Sequence, residues 1–182
     1  NTGRTVSPVK LHTINTGFFK LDGGAMFGVV PQVIWKKINP PDEKNLCTWA
    51  MRCLLVETDN RIILIDSGMG NKQSEKFFSY YEPHGEDTLE KSINKAGFSC
   101  DDITDHLLTH LHFDHCGGSI KYNSGKQLVT TFKNARYWVS KGNWDWAINP
   151  NAREKASFLK ENILPMQESG QLTFIEKEGE AI

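Results

Sequence analysis

Three of the six histidines and one aspartate fall within six residues, in the run Thr109-His110-Leu111-His112-Phe113-Asp114-His115-Cys116-Gly117-Gly118. Imidazole nitrogen and carboxylate oxygen together make the donor set expected for Zn²⁺, or for Fe or Mn at a similar site. Four protein donors split between two ions leave positions open to water, which separates a catalytic from a structural zinc site. In an extended segment the i, i+2, i+4 spacing of His110, His112 and Asp114 projects them to one side. His115 then points elsewhere and suits a second metal. Gly117 and Gly118 let the backbone turn close by without a Cβ clash. Crowding these groups together with no metal would leave unpaired polar atoms costing about 1–3 kcal/mol each. His12, His84 and His106 stand apart and read as ordinary capping, surface or core histidines.

The elements that must position this run belong to a chain of 182 residues, with 21 Lys+Arg against 22 Asp+Glu and 38% hydrophobic residues. That length allows a core that removes roughly 70% of the unfolded surface from water. The balance excludes wholesale disorder, collagen-like structure and a coiled coil, and a net charge of −1 disfavours a generic polyanion binder. No apolar run exceeds short stretches such as Ile62–Ile65, so no membrane span is expected. Residues 1–10 carry neither an initiator Met nor an apolar signal segment and read as a trimmed or processed end. The cysteines, Cys47, Cys53, Cys100 and Cys116, form no CxxC pair and suit reduced thiols, with a lean toward the cytoplasm.

Lys10–Phe19 reads as extended, and Asp22-Gly23-Gly24 breaks it. Met51–Glu57 and Arg61–Asp66 flank the polar turn Thr58-Asp59-Asn60 and predict a hairpin. Its second strand ends at Asp66-Ser67-Gly68-Met69-Gly70. Helices are expected over 73–81 and 88–96, the latter stopped by Gly97. A short strand over 105–109 then delivers the histidine run. Strands at 127–132 and 135–140, a helix at 151–163 and a strand at 172–175 complete a single α/β (α+β) domain with helices packed outside a mixed sheet.

The string His110-x-His112-x-Asp114-His115-x-Gly117-Gly118, preceded by Leu64-Ile65-Asp66-Ser67-Gly68, resembles the metallo-β-lactamase-fold hydrolases. Its wording is most similar to the branch holding N-acyl-homoserine lactone lactonases and methyl-parathion-type hydrolases. The resemblance implies an αββα sandwich with a dinuclear site at a sheet edge, two Zn per complete chain, with Fe or Mn as alternatives. It assigns His110 and His112 to the first metal, and Asp114 and His115 to the second. A metal-bridging hydroxide would attack a carbonyl or phosphoryl centre, Asp114 would act as the catalytic residue that orients it, and Asp66 would be a supporting carboxylate fixing a ligand imidazole or the motif loop. The family also needs a third His on the first metal, a bridging Asp and a further His on the second. No residue after His115 is a histidine. Residues 1–182 therefore read as one domain truncated at its C-terminus, the N-terminal part of the sandwich. A degenerate, metal-poor relative is the main rival, and a site completed by ligands from a partner subunit is a distant third.

Phe27 and Trp35, in an N-terminal region rich in apolar groups, are candidates for an apolar substrate pocket, against ordinary packing. Trp138, Trp144 and Trp146 lie among Lys121, Lys126, Lys133, Arg136 and Lys141, a pattern that can bind nucleic acid but is spread thinly enough to read as a solvated face. Cys116 reads as a small packing residue. The expected activity is hydrolysis of a small ester, lactone, thioester or phosphotriester, lactonase-like first. The expected partner is a small-molecule substrate, with no nucleic acid or membrane, and a homodimer is left open. The alternatives on the same scaffold are an iron-dependent dioxygenase, a nuclease, or a binding protein with a vestigial site.

Overall fold

A computed structural model describes residues 8–179 and 182; residues 1–7, most of the segment read as a processed end, lie outside the described residues. The first two strands carry buried residues at alternate positions and the third is a continuous apolar run; together they form an antiparallel meander. These are β1 (Lys10–Asp22), followed by the short helices α1 (Gly23–Phe27) and α2 (Gln32–Trp35), then β2 (Leu46–Glu57) and β3 (Ile62–Ile65). The predicted hairpin is present, closed where Thr58 N–H donates to the Arg61 carbonyl at 2.9 Å.

Two helices cross over from β3, α3 (Glu75–Tyr81) and α4 (Leu89–Lys95), each capped by the side chain of its preceding Ser74 or Thr88. The chain returns as β4 (Asp105–Leu107), parallel to β3. The motif turn α5 (Phe113–Cys116) and the hairpin β5 (Ile120–Tyr122) with β6 (Leu128–Thr130) follow. Then come β7 (Arg136–Ser140), α6 (Lys141–Ile148), α7 (Lys160–Glu168) and β8 (Leu172–Ile175). The main sheet has the order β1-β2-β3-β4-β7-β8, antiparallel on the β1 side and parallel from β3 to β8. This is the expected mixed α/β architecture.

Two expectations fail near the C-terminal end of the chain. The helix expected over 151–163 begins instead at Lys160, because Asn151 Oδ1 accepts from the N–H groups of Arg153 and Glu154 and commits that segment to a turn. Helix α6 lies where the sequence pattern suggests only tryptophans among lysines on a solvated face; Trp144 packs into the core.

The main core lies between the sheet and α4, α6 and α7, around Leu55, Leu64, Ile93, Tyr137, Val139 and Ile163. Side chains this size stabilise the fold by about 1.5–3 kcal/mol each. A second cluster of Phe19, Met51, Met69 and Phe113 sits under the motif turn, with Phe77 and Tyr81 of α3 against it. The fully buried His106 lies within the main core. Its Nδ1–H donates to the Leu64 carbonyl at 3.0 Å, so Nε2 accepts from Ser119 Oγ at 2.7 Å, and burial lowers its pKa to about 4. All four cysteines are free thiols. Among the described residues no helix is long and apolar enough to cross a membrane.

Candidate metal centre

Ile65 of β3 pairs with Leu107 of β4, so the segments leaving both strands emerge side by side at one end of the sheet. Open α/β sheets place ligands beyond the carboxyl ends of parallel strands. The first residue past β3 is Asp66, held at φ 60°, a left-handed conformation that Asp tolerates better than most residues. It is only 8% exposed. Its Oδ1 accepts from the Thr109 N–H at 2.9 Å, and its Oδ2 from the Thr109 hydroxyl and from His115 Nδ1, both at 2.8 Å. Burial acts to raise the pKa of Asp66, but the bonds from His115 and Thr109 outweigh it and hold the group below its ordinary value. The grip on Thr109 also explains why β4 ends at Leu107, short of the expected 109.

The motif is not extended throughout. His110, Leu111 and His112 form a loop, and α5 starts at Phe113, whose N–H donates to the Ser157 carbonyl. Asp114 and His115 therefore sit on a helical turn, and the expectation that His115 points away from the other candidate donors is corrected. Its ring centroid is 4.0 Å from that of His110, which lies 4.6 Å from that of His112. Gly117 and Gly118 serve a different purpose from the one expected: a Cβ on Gly117 would collide with the carbonyl oxygen of Met69, and one on Gly118 with that of Ser67. The glycines allow the two loops to touch backbone to backbone, with Ser67 N–H donating to the His115 carbonyl and Gly118 N–H to the Gly68 carbonyl.

The hydrogen bonds fix the imidazole tautomers. A carboxylate only accepts, so the proton toward Asp66 sits on His115 Nδ1, and Nε2 faces Asp114 Oδ2, 3.5 Å away, where it can hold a proton or a metal. Thr109 gives its hydroxyl proton to Asp66 and can accept from His110 Nδ1 at 3.2 Å, which leaves His110 Nε2 free as well. Burial lowers the pKa of both His110 and His112, keeping them in the neutral form a metal requires. His115 is opposed by burial but raised overall by Asp66 and then Asp114. The 3.5 Å gap between His115 Nε2 and Asp114 Oδ2 takes up a cation, a proton in the metal-free chain, and the imidazole and carboxylate donor set fits a divalent metal in its place. Among the described residues no three His, Cys, Asp or Glu side chains close around one point, so these donors are paired but do not form a finished cage.

A cavity of about 70 Å³ touches Asp66, Asp114 and His115 and is walled by Phe19, Met51 and Cys53. Met51 also borders a larger cavity of about 590 Å³, which Phe18 and His84 line. Phe27 and Trp35 are elsewhere: they stack at 5.0 Å, and Trp35 is 2% exposed, against Gly23 and Cys47. Cys116 is a buried packing thiol donating to the Leu111 carbonyl, and burial pushes its pKa up to about 12.

Several supporting groups escape the sequence pattern. Thr109 adjoins the motif and could have been suspected. Ser119 and Asn143, which accepts the Leu111 N–H at 3.0 Å, carry no local signal. Lys72 donates to the Gly117 carbonyl, and burial lowers its pKa to about 8.

Residues 52–123 match the family model described as the metallo-beta-lactamase superfamily. Within residues 52–123 the chain is a match to the metallo-β-lactamase superfamily. It is 28% identical over 138 residues to an N-acyl homoserine lactonase of Bacillus thuringiensis, covering 70% of this chain and 48% of the lactonase. Among solved structures, a probable metal-dependent hydrolase from Staphylococcus aureus is 32% identical with a TM-score of 0.85, over 97% of this chain and 62% of that one. A dizinc quorum-quenching lactonase, AidC, solved with the product N-hexanoyl-L-homoserine, is 25% identical with a TM-score of 0.70, over 97% and 61%. The chain thus spans about half the length of the curated lactonase and about three fifths of the solved relatives. The run from His110 to Gly118 lies inside the matched region.

Proposed function

We propose that residues 1–182 form one domain of a metal-dependent hydrolase for small esters, lactones, thioesters or phosphotriesters, with lactones first. The observation that carries this reading is the Asp66–His115–Asp114 alignment, in which a buried carboxylate orients an imidazole so that its free nitrogen faces a second carboxylate. Carboxylate–histidine pairs of this kind orient metal ligands and raise their basicity. His110 and His112 would hold one ion, Asp114 and His115 a second, with zinc favoured by the donor set and by the dizinc relative. Bound divalent ions supply a nucleophile from water at neutral pH and polarise the substrate oxygen.

The chain's own residues do the positioning. Asp66 sets the tautomer of His115 and, through Thr109, that of His110. Asp114, half-buried and lining the small cavity, is the carboxylate proposed to orient the attacking water. Phe27, half-buried over Trp35 and lining neither of the two cavities, is the proposed apolar wall for an acyl or aryl group reaching beyond them, with Trp35 as its backing. Nucleic acid is not the proposed partner, since Lys121, Lys133 and Lys141 are paired with Glu90, Asp101 and Asp145.

The test is metal content by plasma mass spectrometry on the full-length natural product, followed by a panel of lactones and esters. About two zinc ions per chain and metal-dependent turnover are expected. A protein that holds no divalent metal overturns the reading.

A further inference from the structure

The β3–α3 segment that supplies Asp66 also supplies Lys72, and the two residues hold α5 from different sides. Asp66 binds the side chain of His115, whereas the Lys72 ammonium reaches the carbonyl of Gly117, the residue that caps the C-terminal end of α5. A helical turn ends in carbonyls with no partner of their own, and a cation there satisfies them and complements the local dipole. Lys72 is half-buried, and none of the ion pairs among the described residues uses it. Removing such a cation from water with no carboxylate bonded to it is costly, and Glu161 acts on it only through its field. Packing alone would be served better by Met or Leu.

Three contacts already tie the same two segments: Ser67 N–H and Oγ–H donate to the His115 carbonyl at 2.8 and 3.1 Å, and Gly118 N–H donates to the Gly68 carbonyl at 2.9 Å. These secure the middle of the junction. Lys72 adds a clamp at Gly117, two residues beyond His115 and three beyond Asp114. His110 and His112 precede α5 and have anchors of their own in Thr109, Asn143 and the packing of Phe158 on His112, although the His110 ring also lies 4.0 Å from that of His115.

We infer that Lys72 is a positioning residue that sets the Asp114/His115 pair for its metal, while leaving the His110/His112 pair largely independent. This rests on the metal reading above and adds a division of labour within it. The experiment is a zinc titration of the full-length apoprotein against a chromophoric chelator, for the wild type, Lys72→Met and Lys72→Arg, with cobalt(II) absorption spectra of each. Lys72→Met is expected to weaken one of the two binding steps by about 10- to 100-fold, the range for residues that orient metal ligands. The other step should stay within about threefold, and Lys72→Arg, which keeps a donor and a charge, should recover most of the loss. The cobalt spectrum should change in Lys72→Met and return toward wild type in Lys72→Arg.

If Lys72→Met does not fold, Lys72→Gln keeps a shorter donor and is expected to show a smaller loss at the same single step. Wild-type affinity at both steps in any folded variant lacking the ammonium overturns the assignment. So does an equal loss at both steps, the signature of a domain that has merely loosened. A wild-type chain that binds no divalent metal overturns the metal reading itself, whereas a two-metal wild type with an unaffected Lys72→Met overturns the role of Lys72 alone.

Discussion

His115 Nδ1 and Asp66 Oδ2 meet at 2.8 Å although 49 positions separate them in the chain. The contact joins the end of β3 to the helical turn of the motif, and it sets which nitrogen of His115 remains free. Asp66→Asn tests it with little change in shape, since Asn also tolerates the positive φ of this position. Asn has one acceptor oxygen where Asp66 serves Thr109 N–H, Thr109 Oγ–H and His115 Nδ1–H, so at least one donor loses its partner. Stability should fall by about 1–3 kcal/mol. Metal affinity should fall by about 10- to 100-fold. Thermal unfolding of the apoprotein and a chelator-competition titration measure the two effects separately.

His106 predicts an acid-dependent weakening of the metal-free fold. Its pKa is lowered from 6.5 to about 4 by burial, so the unfolded chain binds the proton first on acidification. Stability contributed by the neutral ring is complete above about pH 6.5 and is lost as the pH falls from there toward 4. This group alone should give a slope approaching about 1.4 kcal/mol per pH unit. His110 and His112, also lowered, add to it in the same sense, whereas His115, whose pKa is raised, acts in the opposite sense. Denaturant titrations of the apoprotein at several pH values should show the slope, and His106→Gln should flatten it while lowering stability at about pH 7. An unchanged slope in that variant would contradict the buried, neutral assignment.

Gly117→Ala and Gly118→Ala should each be severely destabilising. An alanine methyl at Gly117 would overlap the Met69 carbonyl oxygen, and one at Gly118 that of Ser67. Neither neighbour is a flexible side chain that can swing away, so the two loops must separate. The shift would break Ser67 N–H to His115 O and Gly118 N–H to Gly68 O. A loss of about 2–4 kcal/mol is expected, beyond the usual range for a surface glycine. Gly142→Ala, at the start of α6, is the control that should be close to neutral, since its new methyl would meet only Ser140 Oγ, at 3.9 Å. Chemical denaturation of the three variants decides this.

Much of the frame was legible in local pattern. The β2–β3 hairpin, α4 with Thr88 and Gly97 at its ends, and β8 follow from alternation, caps and a C-terminal glycine, all signals carried by adjacent residues. The histidine run declared its chemistry through residue types alone. Its geometry did not follow from spacing, because α5 begins at Phe113 and folds Asp114 and His115 onto a turn. What holds that turn is remote: Asp66 just past β3, Ser157 ahead of α7, and Lys72 beyond the glycine loop. The helix expected over 151–163 failed for a local reason, the side chain of Asn151 competing for the backbone N–H groups that a helix would need. His106 looked like any isolated histidine, since nothing near it in sequence shows that Leu64 and Ser119 will enclose it.

Phe27 and Trp35 make the last separable prediction. They stack at 5.0 Å, and the ring of Trp49 lies 5.4 Å from that of Phe27, yet only Trp35 is fully buried. Trp35→Ala should therefore act on stability, at about 3–5 kcal/mol, whatever the substrate. Phe27→Ala removes a half-buried ring and should cost less stability. If Phe27 contacts an acyl or aryl group, KM for long-chain or aromatic substrates should rise by about tenfold while short-chain substrates are unaffected, the size expected for losing an apolar contact worth about 1–3 kcal/mol. Kinetics on a series of lactones of increasing acyl length read this directly. An equal KM across the series in a folded Phe27→Ala enzyme would assign both rings to packing and place the substrate wall elsewhere, with Met51 and Phe19 of the small cavity as the next residues to change.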